Sequence, residues 1–216
     1  MTIYLEEKFN LAPASPETLD LFVQFAREQM VPALNRLKAR LAAAWYSDVE
    51  MFCQVTQVVE FDSLAAFEAF RIKAGQDQAW VDCRARLEEL APEQRTRLLE
   101  PLGPIPPGAL HEAIEESQKA PLGVYSLAIL EVAPGKMPEF IKGLSTEAAR
   151  ALPIVASWRL ITGKQNQVID LWKNALRQEG YQPADDFSKQ FFRGLRKRAP
   201  RERLIPVYTL PYSPLR

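Results

Sequence analysis

Two carboxylic acids lie among apolar residues on predicted strands, where burial would give them useful chemistry. Asp170 stands within the run Asn166–Trp172, and Glu7 stands within the run Ile3–Leu11. A carboxyl group that is buried among apolar side chains has a raised pKa and can act as a general acid or base near neutral pH. We therefore predict that Asp170 and Glu7 are catalytic. The alternatives are that Asp170 pairs with nearby Arg159, and that Glu7 belongs to a solvated strand end.

Aromatic and polar side chains on the same predicted strands favour a small, flat ligand. Tryptophan rings can stack on a planar molecule, although they can equally well fill a protein core. Side chains alternate between the two faces of a strand, and this alternation predicts that several of these residues share a cavity with the carboxylates. The predicted substrate-binding residues are Trp172, Trp45, Trp158, Gln57, Phe9 and Arg159.

Composition and residue counts exclude several other functions. His111 is the only histidine, so one chain cannot build a metal site from several histidines. The 27 basic and 27 acidic residues leave no positive surplus for nucleic acid or an anionic membrane. We also find neither a signal peptide nor an apolar run of membrane-spanning length. Cys53 and Cys83 form no motif, so we expect a cytoplasmic protein with reduced thiols, without metal or cofactor.

The pattern of apolar residues predicts two cycles of the order β-α-β-β-α-β. In the first cycle, Ser15 is the expected N-cap of a helix that runs from residue 17 to about Leu37. A short strand, Arg95–Glu100, ends that cycle. The second cycle has predicted strands at 124–132, 155–160, 166–172 and 204–210, a helix at 137–148 and a helical region that extends to about Arg198.

Matching landmarks indicate that the two cycles are an internal repeat. Tyr4 corresponds to Tyr125, Ala42–Trp45 to Val155–Trp158, and the pair Gln54 and Val55 to Gln167 and Val168. Helices cover only one face of a four-stranded sheet, so the other face needs a partner. We predict an α+β fold in which two ferredoxin-like halves, 1–100 and 122–216, pack sheet to sheet as an intrachain α/β barrel. Residues 101–121, which are rich in proline and glycine at their start, form the predicted linker.

The predicted cavity lies between the two sheets. The alternation places Asp170 and Trp172 in it from the second half, and Glu7, Phe9 and Gln57 from the first. Tyr4 and Tyr125 have the opposite phase and are expected under the helices. Because the two halves bring different residues, we expect one site per chain.

The sequence resembles the NIPSNAP family within the dimeric α/β-barrel superfamily. The resemblance is carried by Ile3–Pro13, Ala44–Trp45, Gln54–Leu64, Asn166–Trp172 and the tail Thr209–Leu215. It implies a barrel fold, whereas related barrels include cofactor-free oxygenases of polyketide pathways, haem-binding enzymes, isomerases and proteins without a known reaction. The family often has a histidine on the third strand, where this sequence has Gln57 and Asp170.

These observations favour a metal-free enzyme that acts on a hydrophobic aromatic or polyketide-like molecule. Carboxylate acid/base chemistry would support oxygenation, cyclisation or isomerisation. A non-catalytic, NIPSNAP-like binding or scaffold protein is the main alternative, so enzyme activity stays open. Haem binding is a third alternative, with His111 as the one available histidine ligand. The expected partner is a hydrophobic small molecule, and homo-oligomer formation stays open.

Overall fold

The computed structural model describes residues 1–145, 153–173 and 185–216. These residues form strands and helices in two successive cycles, as the sequence predicts. The elements are β1 (Ile3–Asn10), α1 (Pro16–Phe25), a π-helical turn (Ala26–Met30), α2 (Val31–Arg36), β2 (Arg40–Ser47), β3 (Gln54–Phe61), α3 (Leu64–Ala74), α4 (Gln78–Leu90), β4 (Glu93–Pro101), α5 (Pro107–Ser117), β5 (Val124–Glu131), α6 (Met137–Gly143), β6 (Ile154–Leu160), β7 (Gln167–Lys173), α7 (Asp186–Arg198) and β8 (Arg201–Thr209).

The strands close into one antiparallel barrel. Their order around it is β1-β3-β2-β8-β5-β7-β6-β4. Each half contributes the ferredoxin-like order, β4-β1-β3-β2 in the first and β8-β5-β7-β6 in the second. Two short seams join the halves: Trp45 and Tyr46 of β2 pair with Thr209 and Tyr208 of β8, and β4 pairs with β6 through Leu99–Leu160, Glu100–Arg159 and Pro101–Trp158. The predicted fold class is confirmed.

Local signals in the sequence start the helices of the first half. The Ser15 hydroxyl accepts a hydrogen bond from the Thr18 backbone N–H at 3.2 Å, with proline in the first turn of α1. Ser63 caps α3 and Asp77 caps α4 in the same way. The long helix predicted up to Leu37 is divided, because a π-helical turn separates α1 from α2 and Pro32 lies in the first turn of α2.

The barrel wall separates an interior core from two helix-covered cores. One cluster of buried residues takes members from all eight strands and from α5, so it must fill the barrel interior. A second cluster joins the first-half strands to α1, α2, α3 and α4. A third cluster joins β5 and β7 to α6 and α7. The interior residues include Tyr4, Trp45, Val58, Leu99, Tyr125, Trp158, Ile169 and Ile205.

On four strands, β1, β3, β5 and β7, the face that we expected to line the barrel interior instead lies under the helices. Phe9 belongs to the helix-covered cluster of the first half, and Trp172 belongs to that of the second half. Glu7 and Gln57 share the face of Phe9, and Asp170 shares the face of Trp172. Tyr4 and Tyr125, which we expected under the helices, lie inside the barrel. The physical reason is that both faces of the wall are covered, so either alternate set is apolar enough to be buried.

The segment 101–121 is more than a linker, because α5 closes one end of the barrel. Leu110 and Ala113 of α5 belong to the interior cluster. His111 Nε2 lies 2.8 Å from the buried Glu60 carboxylate, and the Arg40 guanidinium contacts the same two side chains. This end of the barrel is therefore filled by apolar side chains of α5, and the polar side chains of His111, Glu60 and Arg40 contact one another there.

Two predicted helical segments are described only in part. The helix predicted at 137–148 corresponds to α6, and residues 146–148 of it lie outside the described residues. The helical region predicted up to Arg198 corresponds to α7, and residues 174–184 lie outside the described part. Among the helices that are described, none has the length and apolar character needed to cross a membrane.

Candidate active site

The candidate active site is a pocket between the sheet and the helices of the second half. Strands β5 and β7 form its floor, and α6 and α7 cover it. The lining is mainly apolar and aromatic, with one carboxylic acid and one guanidinium. The lining residues are Leu130, Phe140, Gly143, Leu144, Asp170, Trp172, Phe191, Leu195 and Arg198.

Asp170 supplies the acid of this pocket. It lies in the middle of β7 and is 2% exposed. Burial raises the pKa of Asp170 to about 7, and the nearby Glu202 adds to the rise. The Ser157 hydroxyl of β6 donates a hydrogen bond to the carboxyl group at 2.5 Å and acts in the opposite direction. Near neutral pH this group can therefore both accept and donate a proton.

Trp172 brings a hydrogen-bond donor to the same pocket. It follows Asp170 by two residues on one face of β7, so the two Cα atoms are about 7 Å apart. Its indole Nε1 is buried and has no hydrogen-bond partner among the described residues. A buried N–H without an acceptor is uncommon in folded proteins. An oxygen atom of a bound molecule would satisfy it while lying close to Asp170.

The pocket is nearly closed in this conformation. It has room for about 10 Å³, which is the space of roughly one water molecule. At Gly143 of α6 a Cβ atom would lie 2.3 Å from the guanidinium of Arg198 on α7, which is the end of a flexible side chain. The two helices therefore approach each other at the pocket, and a molecule larger than water needs this part of the structure to rearrange.

The corresponding face of the first half carries the second predicted catalytic residue. Glu7 of β1 is 5% exposed and accepts a hydrogen bond from Gln57 Nε2 at 2.7 Å. The Arg84 guanidinium of α4 lies 3.3 Å from the same carboxylate. Burial raises the pKa of Glu7, and the charge of Arg84 together with the Gln57 hydrogen bond offsets part of this rise.

The remaining predicted site residues make their described contacts with other groups, although Phe9 shares the strand face of Glu7. Trp45 and Trp158 are buried in the barrel interior, where the Trp158 ring meets Tyr4 edge to face at 5.7 Å. Phe9 packs against Phe22 with their ring centroids 5.6 Å apart. Arg159 binds Glu100 across the seam between β4 and β6 through its Nε at 2.7 Å, so the alternative in which Asp170 pairs with Arg159 does not hold.

Two partner residues were not predicted from the sequence. Ser157 reaches Asp170 because the two residues lie opposite each other in the β6–β7 register. Arg84, a half-buried residue of α4, reaches Glu7 although the two residues are distant in sequence. Ser157 lies within Val155–Trp158, one of the segments that indicated the repeat. Its contact with Asp170 becomes visible only from the register of the strands.

The chemistry open to this pocket is proton transfer beside an apolar surface. Within the described ranges, no group of three or more His, Cys, Asp or Glu residues could hold a metal ion. Asp170 is the one carboxyl group among the residues that line the pocket. One acid that changes protonation near pH 7, next to aromatic rings, suits abstraction of a proton from an activated carbon atom.

Comparison with protein families identifies part of the chain directly. Residues 13–104 match the family model described as NIPSNAP. The first half of the chain therefore carries a NIPSNAP domain. A comparison with curated proteins found no match to the sequence.

Solved structures with the same fold extend over nearly the whole chain. A candidate monooxygenase from Lactobacillus acidophilus NCFM is 12% identical, with a TM-score of 0.61, over 98% of this chain and 97% of that chain. A second one, from Fusobacterium nucleatum subsp. nucleatum ATCC 25586, is 9% identical, with a TM-score of 0.63, over 97% and 92%. An anthrone oxidase-like protein is 12% identical, with a TM-score of 0.56, over 96% and 91%. At these identities the likeness establishes the dimeric α/β-barrel fold.

Proposed function

We propose that this protein is a small-molecule enzyme that uses Asp170 as an acid/base in the helix-covered pocket of the second half. The proposed substrate is a hydrophobic aromatic or polyketide-like molecule with an acidic C–H bond. The observation that carries the proposal is a fully buried carboxyl group with a pKa of about 7 in a pocket lined by aromatic and aliphatic side chains.

The proposed reaction is the oxygenation of an activated methylene group without a metal. Asp170 in its ionised form removes one proton and leaves a carbanion that the conjugated rings stabilise. The carbanion combines with dioxygen and takes the proton back as a hydroperoxide, and loss of water then leaves a carbonyl group. One substrate CH₂ and one dioxygen thus become one C=O and one water. Trp172 N–H would donate to the substrate oxygen on which negative charge develops.

Three features of the chain support this reaction over other acid/base chemistry. The fold is shared with proteins described as candidate monooxygenases and as an anthrone oxidase-like protein. The pocket excludes bulk water, which protects a carbanion from reprotonation. The pocket has room for only about 10 Å³, so the protein must rearrange around a bound substrate and would then enclose it during the reaction.

Anthrone and dioxygen provide the test, with oxygen uptake and anthraquinone formation as the readouts. We expect wild-type protein to accelerate both, with kcat/KM increasing with pH through an apparent pKa near 7, because the base must be ionised. The Asp170→Asn variant should lose roughly 100-fold or more in rate, as expected for removal of a general base.

The Glu7→Gln variant is the matched control, because it removes the other buried carboxylate on the equivalent side of the barrel. It should keep the wild-type pH profile and most of the rate. If Glu7→Gln abolishes turnover while Asp170→Asn retains it, the acid/base residue is in the first half. If no variant and no wild-type protein accelerates oxygen uptake, the proposed reaction is wrong.

A second candidate function is binding or scaffolding without a reaction. The observation that favours it is the packing of the barrel interior, where Trp45, Trp158 and Tyr4 are each at most 2% exposed. A barrel filled in this way leaves no large apolar chamber at the α5 end. Tight binding of anthrone without oxygen uptake, lost in a Trp172→Ala variant, would support this candidate.

A further inference from the structure

The end of the barrel opposite α5 contains a second cavity with very different chemistry. It has a volume of about 210 Å³ and continues into a wider groove that shares Glu50, Arg95 and Arg203 with it. The cavity opens on the interior side of the wall, whereas the proposed active site lies on the helix-covered side. Its size suits a small ion or a few-carbon acid better than a ring system.

Positive charge dominates the lining of this cavity. Lys8 of β1, Arg95 and Arg97 of β4, and Arg203 of β8 all line it. The carboxylates among the lining residues are those of Glu6 and Glu50. Four cations therefore face two anions around this cavity, which gives its lining a net positive charge.

Both carboxylates are already occupied by neighbouring cations. Arg97 Nε donates to Glu6 at 2.5 Å. Lys8 and Arg203 hold Glu50 between them, at 2.8 Å and 2.6 Å. Burial raises the pKa of Glu50, but the hydrogen bond and charge of Lys8, with the charges of Arg203 and Arg95, bring it below its usual value. Glu50 is thus an ionised carboxylate with a cation on each of its two oxygen atoms.

Arg95 is the cation of this network that contacts neither carboxylate directly, although its charge acts on Glu50. Among the described residues it makes neither a hydrogen bond nor an ion pair, and its side chain is exposed to the cavity mouth. Its register partner on β1 is Lys8, so two cations lie directly opposite each other across the sheet. Like charges in this position destabilise a strand pair. Glu93, on the same face of β4 two residues away, lines the outer groove rather than the cavity.

We propose that the open end of the barrel binds a small oxyanion, a carboxylate or a phosphate, through Arg95, with Arg97 and Arg203 beside it. A guanidinium presents two parallel N–H donors that match both oxyanions. An ion bound there would neutralise the repulsion between Arg95 and Lys8. Stability alone does not require this lining, because apolar residues often replace charged networks without loss.

The test is calorimetric titration of the full-length protein with inorganic phosphate and, separately, with succinate, at constant ionic strength. We expect one saturable site for at least one of the two ions, and the stronger of the two identifies the ligand class. Arg95→Gln should weaken that binding at least tenfold. Arg95→Lys should have an intermediate effect, because it keeps the charge but loses the paired donors.

Arg27→Gln is the matched control, since Arg27 is a 66% exposed arginine on the outer helices and its one carboxylate neighbour, Glu28, lies 4.0 Å away. It should leave the affinity within twofold of wild type. Arg95 is exposed, so both variants should fold, and their melting temperatures without ligand check this. Equal affinity in wild type and Arg95→Gln, equal loss in Arg27→Gln, or no saturable binding of either ion would each overturn the proposal. None of these outcomes bears on Asp170, which lies across the wall.

Discussion

On the helix-covered face of the first half, Glu7 of β1 lies opposite Gln57 of β3. On the equivalent face of the second half, Ala128 of β5 lies opposite Asp170 of β7. The buried carboxylic acid is on the first strand of the cycle in the first half and on the third strand in the second half. In the first half, Arg84 of α4 and Gln57 both contact the acid, whereas a single serine hydroxyl contacts Asp170.

This difference shows how the two halves of a repeat can treat a buried acid in different ways. Glu7 has a cation within 3.3 Å, so the ionised form keeps a partner despite its burial. Asp170 has no such cation among the causes of its pKa shift, and desolvation dominates. The helix-covered faces of the two halves thus hold a buried ion pair in the first and an acid with a raised pKa in the second.

The largest effect on this comparison should come from replacing Asp170 with asparagine. Between pH 4 and 7 the folded state keeps a proton that the unfolded chain has released, so wild-type stability falls as pH rises and then levels off. A pKa raised from 3.8 to about 7 corresponds to roughly 4 kcal/mol. Asp170→Asn should therefore raise the free energy of unfolding by up to that amount at pH 8, and hardly at all at pH 4.

Urea denaturation of wild type and variant across this pH range measures the effect. Asp186→Asn, which removes a fully exposed acid of α7, is the control and should follow the wild-type curve. If the curves of wild type and Asp170→Asn run parallel from pH 4 to pH 8, Asp170 is ionised throughout and the two faces do not differ.

A somewhat smaller change in the free energy of unfolding, in the opposite direction, is expected when Arg84 is replaced with methionine. The variant leaves Glu7 buried without its cation, which should lower the free energy of unfolding by roughly 3 kcal/mol. The loss should be greater at pH 8 than at pH 5, because acid protonates Glu7 and removes the uncompensated charge. Arg86→Met on the same helix, which breaks a surface pair with Glu89, should cost less than about 0.5 kcal/mol. Equal costs for the two arginines would contradict a structural ion pair at Glu7.

The smallest effect concerns the serine that contacts Asp170. Ser157→Ala should cost about 1 kcal/mol and raise the pKa of Asp170 further, because the hydroxyl donates to the carboxyl group. Carbon-detected NMR of the labelled carboxyl group measures the titration directly. Ser126→Ala is the control, since Ser126 is equally buried and its hydroxyl has no partner in the described part of the chain. An unchanged Asp170 titration in Ser157→Ala would show that the hydroxyl does not set it.

Much of the architecture could be predicted because local chemistry determines it. The Ser15 cap, the Pro16 start and the correspondence of Tyr4 with Tyr125 follow from residue type and spacing alone. The closed barrel follows from two sheets that each have one uncovered face. Importantly, the choice of Asp170 and Glu7 as buried acids also depends on local pattern, and both are buried in the structure.

The orientation of the strands could not be predicted in the same way. Alternation sorts Val55, Gln57 and Val59 from Thr56 and Val58, but it does not say which set faces the helices. That choice depends on which face the crossover helices cover, which is a property of the whole chain. Inside the barrel, moreover, charged residues lie at both ends and apolar residues between them, so neither set carries a uniform polarity that would have identified it.

The seams between the halves have a consequence for how the protein is made on the ribosome. Strand β2 pairs with β8, so its outer edge finds no partner until residues 201–209 have been synthesised. Strand β4 likewise waits for β6. During translation the first half therefore emerges with two open sheet edges and its interior side chains uncovered, which are the features that promote aggregation of nascent chains. Closure of the barrel, once β8 has been synthesised, is the step that a chaperone would most need to protect.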